Sequence, residues 1–180
     1  MAVLSEEQTM LRDMAREWTT NESPVTAFRK FRDLAPACGY DANAFKTMAE
    51  MGWAGIVIPE KFGGSDFGWL SLGLVLEETA KTLTASPLAS SALAASALVL
   101  GGSDGAKAAW LPKLASGEVV GTLAIDEGPR HNPAAIATTA TKAGDGWTLS
   151  GTKAFVHEAH GAALFIVAAQ TEGGVGVFAV

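Results

Sequence analysis

Apolar positions recur with a period near 3.6 through the first two thirds of the chain and then with a period near 2, so helices are predicted first and strands afterwards. Ser5 and Gln8 form a capping box ahead of Leu11, Met14, Ala15 and Trp18, which predicts a first helix ending near Asn21. After Pro24, Phe28, Phe31 and Leu34 mark a second helix that stops in the Pro36–Gly39 break, with Arg29, Lys30 and Arg32 on its solvated face. Asp41 is an N-cap for a helix carrying Phe45, Met48 and Ala49. The stretch Met51–Thr82 then turns the chain: a short buried run (Ile56, Val57, Ile58), a proline stop at Pro59, a glycine turn at Gly63 and Gly64, and a new helix. In that helix Trp69, Leu70, Leu72, Leu74, Val75, Leu76 and Leu83 leave almost no polar face apart from Glu77 and Glu78, which predicts a central, buried element. Ser86 and Pro87 start an Ala- and Ser-rich helix over Leu88–Leu100, which Gly101 and Gly102 stop. Ser103 or Asp104 starts a last one, in which Pro112 is expected to kink or restart the helix before Gly117 closes it.

From Glu118 onward the alternation predicts strands over Val119–Ile125, Ile136–Lys142, Trp147–Ser150, Lys153–His157, Ala163–Gln170 and Val175–Val180. Hairpin turns fall at Gly144–Gly146 and at Gly173–Gly174. The fold class is therefore α+β: an all-α amino-terminal domain, residues 1–117, followed by an incomplete antiparallel β-sheet or barrel domain, residues 118–180.

A hydrophobic share of 48% over 180 residues is that of a core-forming chain. With a net charge of -6 and no basic run, a nucleic-acid surface is not expected. Leu88–Leu100 is too short and too serine-rich to span a membrane. The single cysteine, Cys38, has no internal disulfide partner and reads as a structural thiol; with no secretory signal evident, a cytoplasmic location is expected. No G-x-G-x-x-G follows a strand. His157, Glu158 and His160 do not have the spacing of a metal site, so no metal is expected, and the adjacent Asp126 and Glu127 diverge on a strand rather than pair as acid and base.

Several motifs nevertheless coincide with those of one family. IPEKFGG (residues 58–64) ahead of L-x-L-x-L-V-L-E-E-x-A-K, then W-L-P-x-L-A-S-G-E, then TLAIDEGPRHNP (122–133) and SGTKAFVHEAH (150–160) resemble, in order and over the whole chain, the acyl-CoA dehydrogenase family. The resemblance implies an FAD enzyme that oxidises an acyl-CoA to the 2-enoyl-CoA, serving lipid catabolism with an electron-transfer partner, and forming homo- or hetero-oligomers. It sets Leu123, Ile125 and Asp126 along the flavin pyrimidine, Glu127 at the glutamate of the motif, and Phe155, Val156 and His157 where the family's tryptophan and threonine meet the flavin. Backbone N–H groups at strand ends are suited to that task, because they stabilise the reduced ring without requiring a given side chain. Three features depart from the pattern. His157 is larger than threonine, Asp126 puts a carboxylate beside an electron-rich ring, and Arg130, His131 and Asn132 stand, one residue short, where small residues pass the thioester. These three are the candidates for coenzyme A contact, Arg130 through a phosphate; a merely solvated loop is the alternative. The base that removes the α-proton belongs, in the resembled family, to a carboxy-terminal helical domain, so no residue here is assigned a catalytic role. A second reading is a non-catalytic subunit or binding module that pairs with a complete homologue.

Overall fold

The computed structural model describes residues 3–180. Its order is α1 (Glu6–Glu22), α2 (Val25–Leu34), α3 (Ala42–Glu50), two single 3-10 turns (Trp53–Gly55 and Glu60–Phe62), α4 (Gly68–Lys81), α5 (Leu88–Gly101), α6 (Asp104–Ala115), β1 (Gly121–Ala124), β2 (Thr139–Ala143), β3 (Gly146–Ser150), β4 (Leu164–Thr171) and β5 (Gly174–Ala179). No helix among the described residues is long and apolar enough to cross a membrane.

Helices α1, α3 and α6 start at side-chain caps. The Ser5 hydroxyl accepts from Gln8 N–H and the Gln8 side chain accepts from Ser5 N–H, closing the capping box. Asp41 accepts from the N–H groups of Asn43 and Ala44 at the head of α3, and Ser103 accepts from Ala106 N–H at the head of α6. These bonds satisfy donors that have no partner within the helix. Helix α6 runs through Pro112 without a break, and the turn beyond it keeps its bonding, since Ser116 N–H donates to the Pro112 carbonyl.

Helix α4 is only half central. Leu72, Val75 and Glu78 are buried, but Trp69 and Leu70 are 51% and 50% exposed, and Leu83 lies past the helix end in a left-handed conformation, φ 57°. One side of α4 packs on α1, and apolar residues on the other side face outward.

Two clusters make the core. One joins Ala15, Phe45, Met48, Trp53, Ile56, Leu72, Val75 and Leu88 with Val120. The other joins Ile58, Ala94, Ala95, Leu98, Leu111 and Leu114 with Leu164 and Ile166 of β4. Strand residues join the second cluster, Val120 just ahead of β1 joins the first, and α5 is the wall common to both. Its small residues allow the approach: a Cβ placed on Gly121 of β1 would lie 2.8 Å from the Ala94 Cβ, and Gly121 N–H donates to Ser91 Oγ at 3.3 Å.

The sheet is mixed rather than purely antiparallel. β4 is its axis, parallel to β1 (Gly121↔Leu164 to Ala124↔Val167) and to the start of β2 (Thr139↔Gln170), and antiparallel to β5; β2 and β3 form an antiparallel hairpin. Because β1 and β2 lie beside the same strand, the 14 residues between them, 125–138, must leave the sheet and return. The expected strand over Lys153–His157 is absent. Phe155 and Glu158 have φ values of 54° and 48°, which break an extended run, and the segment is tied to β1 and the residues after it by side chains and one backbone bond instead of a ladder.

Candidate functional site

The two excursions that interrupt the sheet, 125–138 and 151–163, meet beyond the end of β1. Three ties join them. Thr122 points inward on β1, is 1% exposed, and its hydroxyl donates to the His157 carbonyl at 2.7 Å. Ala154 N–H donates to the Asp126 carbonyl at 2.8 Å. The Lys153 ammonium donates to the Ile125 carbonyl at 3.0 Å and to Glu127 Oε1 at 2.7 Å.

Glu127 is the hub. Besides Lys153, its carboxylate accepts from Ala137 N–H (2.7 Å), Thr138 N–H (2.9 Å) and Thr138 Oγ1 (2.6 Å). The Lys153 hydrogen bond first, then those from Thr138 and Ala137, hold its pKa down to about 2. One carboxylate therefore fastens the departing chain at 127, the returning chain at 137–138 and the second excursion at 153. Gly151 belongs to the same knot, since a Cβ there would come within 2.5 Å of Thr138 Oγ1.

The candidate residues fall into two groups around this knot. Leu123 lines a cleft of about 210 Å³ together with Ala89, Ser90, Leu93, Thr122, His157 and Glu158. Ile125 is partly buried, and its carbonyl is taken by Lys153. Phe155 is 75% exposed, Val156 is partly buried and His157 is exposed. Among the described residues, the backbone N–H groups of Phe155, Val156 and His157 donate to no protein acceptor. Three donors without protein acceptors thus run in sequence from the exposed Phe155 to His157.

Asp126 turns the other way. His131 Nδ1 lies 3.0 Å from both of its carboxylate oxygens, and Asn132 N–H donates to Oδ1 at 3.1 Å. The His131 hydrogen bond leads in holding the Asp126 carboxyl below its usual value, against the opposing effect of burial. The loop carrying Arg130, His131 and Asn132 is thus folded back onto Asp126. His131 and Asn132 are engaged by it, whereas Arg130 is exposed and forms no ion pair among the described residues.

Thr122, Lys153 and Thr138 were not among the candidates, although they build the site. The only sequence signals were an inward threonine in the period-2 pattern of β1 and a lone lysine beside the apolar Ala154, Phe155 and Val156.

The profile of the acyl-CoA dehydrogenase N-terminal domain matches residues 5–118. The chain belongs to the acyl-CoA dehydrogenase family. A curated relative, the (2S)-methylsuccinyl-CoA dehydrogenase of Cereibacter sphaeroides, is 34% identical over 94% of this chain and 31% of its own length. Among solved structures, the Tcur3481-Tcur3483 steroid ACAD superposes with a TM-score of 0.88 at 32% identity, covering 97% of this chain and 48% of that one. The ChsE4-ChsE5 complex of Mycobacterium tuberculosis gives 0.87 at 26%, covering 100% and 48%. The chain therefore spans a third to a half of the length of the relatives it matches.

Proposed function

We propose that this chain supplies the amino-terminal helical part, residues 1–117, and the first part of the middle β domain, residues 118–180, of an FAD-dependent acyl-CoA dehydrogenase. The whole protein would oxidise an acyl-CoA thioester to the 2-enoyl-CoA, in lipid catabolism, and pass electrons to a partner. The observation that carries this reading is the meeting of segments 122–127 and 153–158 around an exposed Phe155 and three free N–H groups, at the positions that face the flavin in the family resemblance. When bound, FAD accepts the hydride removed from the acyl β-carbon. Phe155 would cover the ring, the N–H groups of Val156 and His157 would meet its acceptors, and Leu123 and Ile125 would line its pyrimidine side. Asp126, ionised and already engaged by His131 and by Asn132 N–H, would place a fixed negative charge there and so oppose added negative charge on the ring. Arg130, unpaired on the loop, is the group suited to a coenzyme A phosphate, with His131 and Asn132 shaping the loop around it. The lone Cys38 suits a reducing, cytoplasmic setting.

A second reading is favoured by one observation. The carboxylate of Asp126 and the loop folded onto it occupy the region where the family pattern has small residues, which suits a non-catalytic subunit of a hetero-oligomer. Combining the chain with a polypeptide that supplies the carboxy-terminal half, and following dye reduction with a panel of acyl-CoAs, separates the two. Acyl-CoA-dependent reduction supports the enzyme; bound flavin with no reduction by any acyl-CoA supports the subunit.

A further inference from the structure

We propose that Glu127 and Lys153 are positioning residues, which together with Thr122 hold the backbone of residues 155–157 in the conformation that presents its N–H groups to the flavin. This rests on the flavin reading above but assigns a role that neither the fold nor the family match supplies. The segment 151–163 has no strand to fix it between β3 and β4, and two of its residues sit in left-handed backbone conformations that a free chain disfavours. Besides the backbone bond from Ala154 N–H to the Asp126 carbonyl, side-chain ties hold it at both ends of the three N–H groups. The Lys153 ammonium lies just ahead of the three N–H groups and grips Ile125 and Glu127; the Thr122 hydroxyl grips the His157 carbonyl at their far end.

The two anchors are rigid for different reasons. Thr122 is on a paired strand and almost fully buried. Lys153 is 9% exposed, and its partner Glu127 is 16% exposed and held by three further donors from residues 137–138. Because Glu127 is already held by three other donors, the pair orders one long side chain rather than the two that a surface pair must order. A ligand site gains affinity when its donors are fixed in advance.

The test compares Lys153→Met, Lys153→Arg, Glu127→Gln and Thr122→Val with the unsubstituted protein, by hydrogen exchange of a peptide covering 154–158 without flavin and by FAD titration. Circular dichroism and thermal melting establish that each variant is folded. Lys153→Met and Glu127→Gln should speed exchange at 154–158 and weaken FAD binding by about tenfold, the scale of one lost charge-assisted hydrogen bond. Lys153→Arg should restore much of both. A role in stability alone would lower the melting temperature and leave exchange at 154–158 and FAD affinity, within twofold, unchanged; that result overturns the proposal. Failure of the unsubstituted protein to bind FAD would instead overturn the flavin reading. The exchange comparison would then decide the positioning role by itself, unchanged rates counting against it.

Discussion

Glu78 in the helical layer and Glu127 beside the strands are both drawn inward and both ionised, yet they are held in different ways. Glu78 lies on α4 with its side chain 3% exposed, and its partners are Arg16 from α1 at 3.0 Å and Lys81 one turn along at 2.9 Å. Both cations are about half exposed, at 53% and 51%. Burial works against the Glu78 charge, and the hydrogen bonds from Arg16 and Lys81 outweigh it, so the carboxyl still sits below its usual value. Glu127 has one nearly buried cation and three backbone or hydroxyl donors. The first arrangement pins one helix to another that is already packed against it. The second ties three irregular segments to one another beyond the end of β1 rather than one packed helix to another.

Core substitutions give the largest effects and test whether the two regions are one cooperative unit. Trp53→Ala, in the helical core, should cost about 3–5 kcal/mol, and Leu164→Ala, on β4 against α5 and α6, about 2–5 kcal/mol. Because β4 residues share the second cluster with α5 and α6, urea melts followed by helical circular dichroism and by hydrogen exchange of the β4 amides should move together in both variants; separate transitions would mean that the layers fold apart.

Next in size is the helical carboxylate. Glu78→Gln should destabilise the protein by about 1–3 kcal/mol through loss of two charge-assisted bonds. Arg16→Ala should cost clearly less than Glu78→Gln, because the cation is half exposed and Lys81 remains. An Arg16→Ala cost equal to that of Glu78→Gln would show that Lys81 contributes nothing.

Acid sharpens the contrast. Both folded-state carboxyls lie below their unfolded values, so each contributes stability that is present at neutral pH and lost as pH falls. For Glu127 the loss begins as pH drops through the ordinary value of 4.5 and continues toward about 2. Melting temperature against pH should therefore fall across that window, and Glu127→Gln should be less stable at neutral pH and flatter below 4.5. The smallest effect is expected at the loop. His131 is 69% exposed, so His131→Ala should change unfolding free energy by no more than about 1 kcal/mol, as measured by urea melts.

The helical layer was legible because its signals are local. Ser5 with Gln8, Asp41 and Ser103 act on residues two or three positions away, and the 3.6 period survives whatever the helix packs against. What the period could not give was which side of α4 would be covered, since Trp69 and Leu72 are equally apolar but only Leu72 is buried. In the strand region alternation located β1 to β5 but not their partners, because parallel and antiparallel pairs share the same period. It also mistook Lys153–His157 for a strand. The segment with left-handed conformations at Phe155 and Glu158 is tied to Thr122, Ile125 and Glu127, which are 26 to 35 residues away from their partners in the chain. The candidate residues came from the family resemblance, while the side chains that tie their segments together required the structure.

The account's central claim is that segments 123–126 and 155–157 form a flavin-facing surface. Amide chemical-shift mapping of the isotopically labelled protein during titration with FAD tests it most directly, since weak binding is still read residue by residue. Saturable shifts concentrated at Leu123–Asp126 and Phe155–His157 are predicted. A folded spectrum that does not respond to FAD, or shifts confined to the outer faces of the helices, would contradict it.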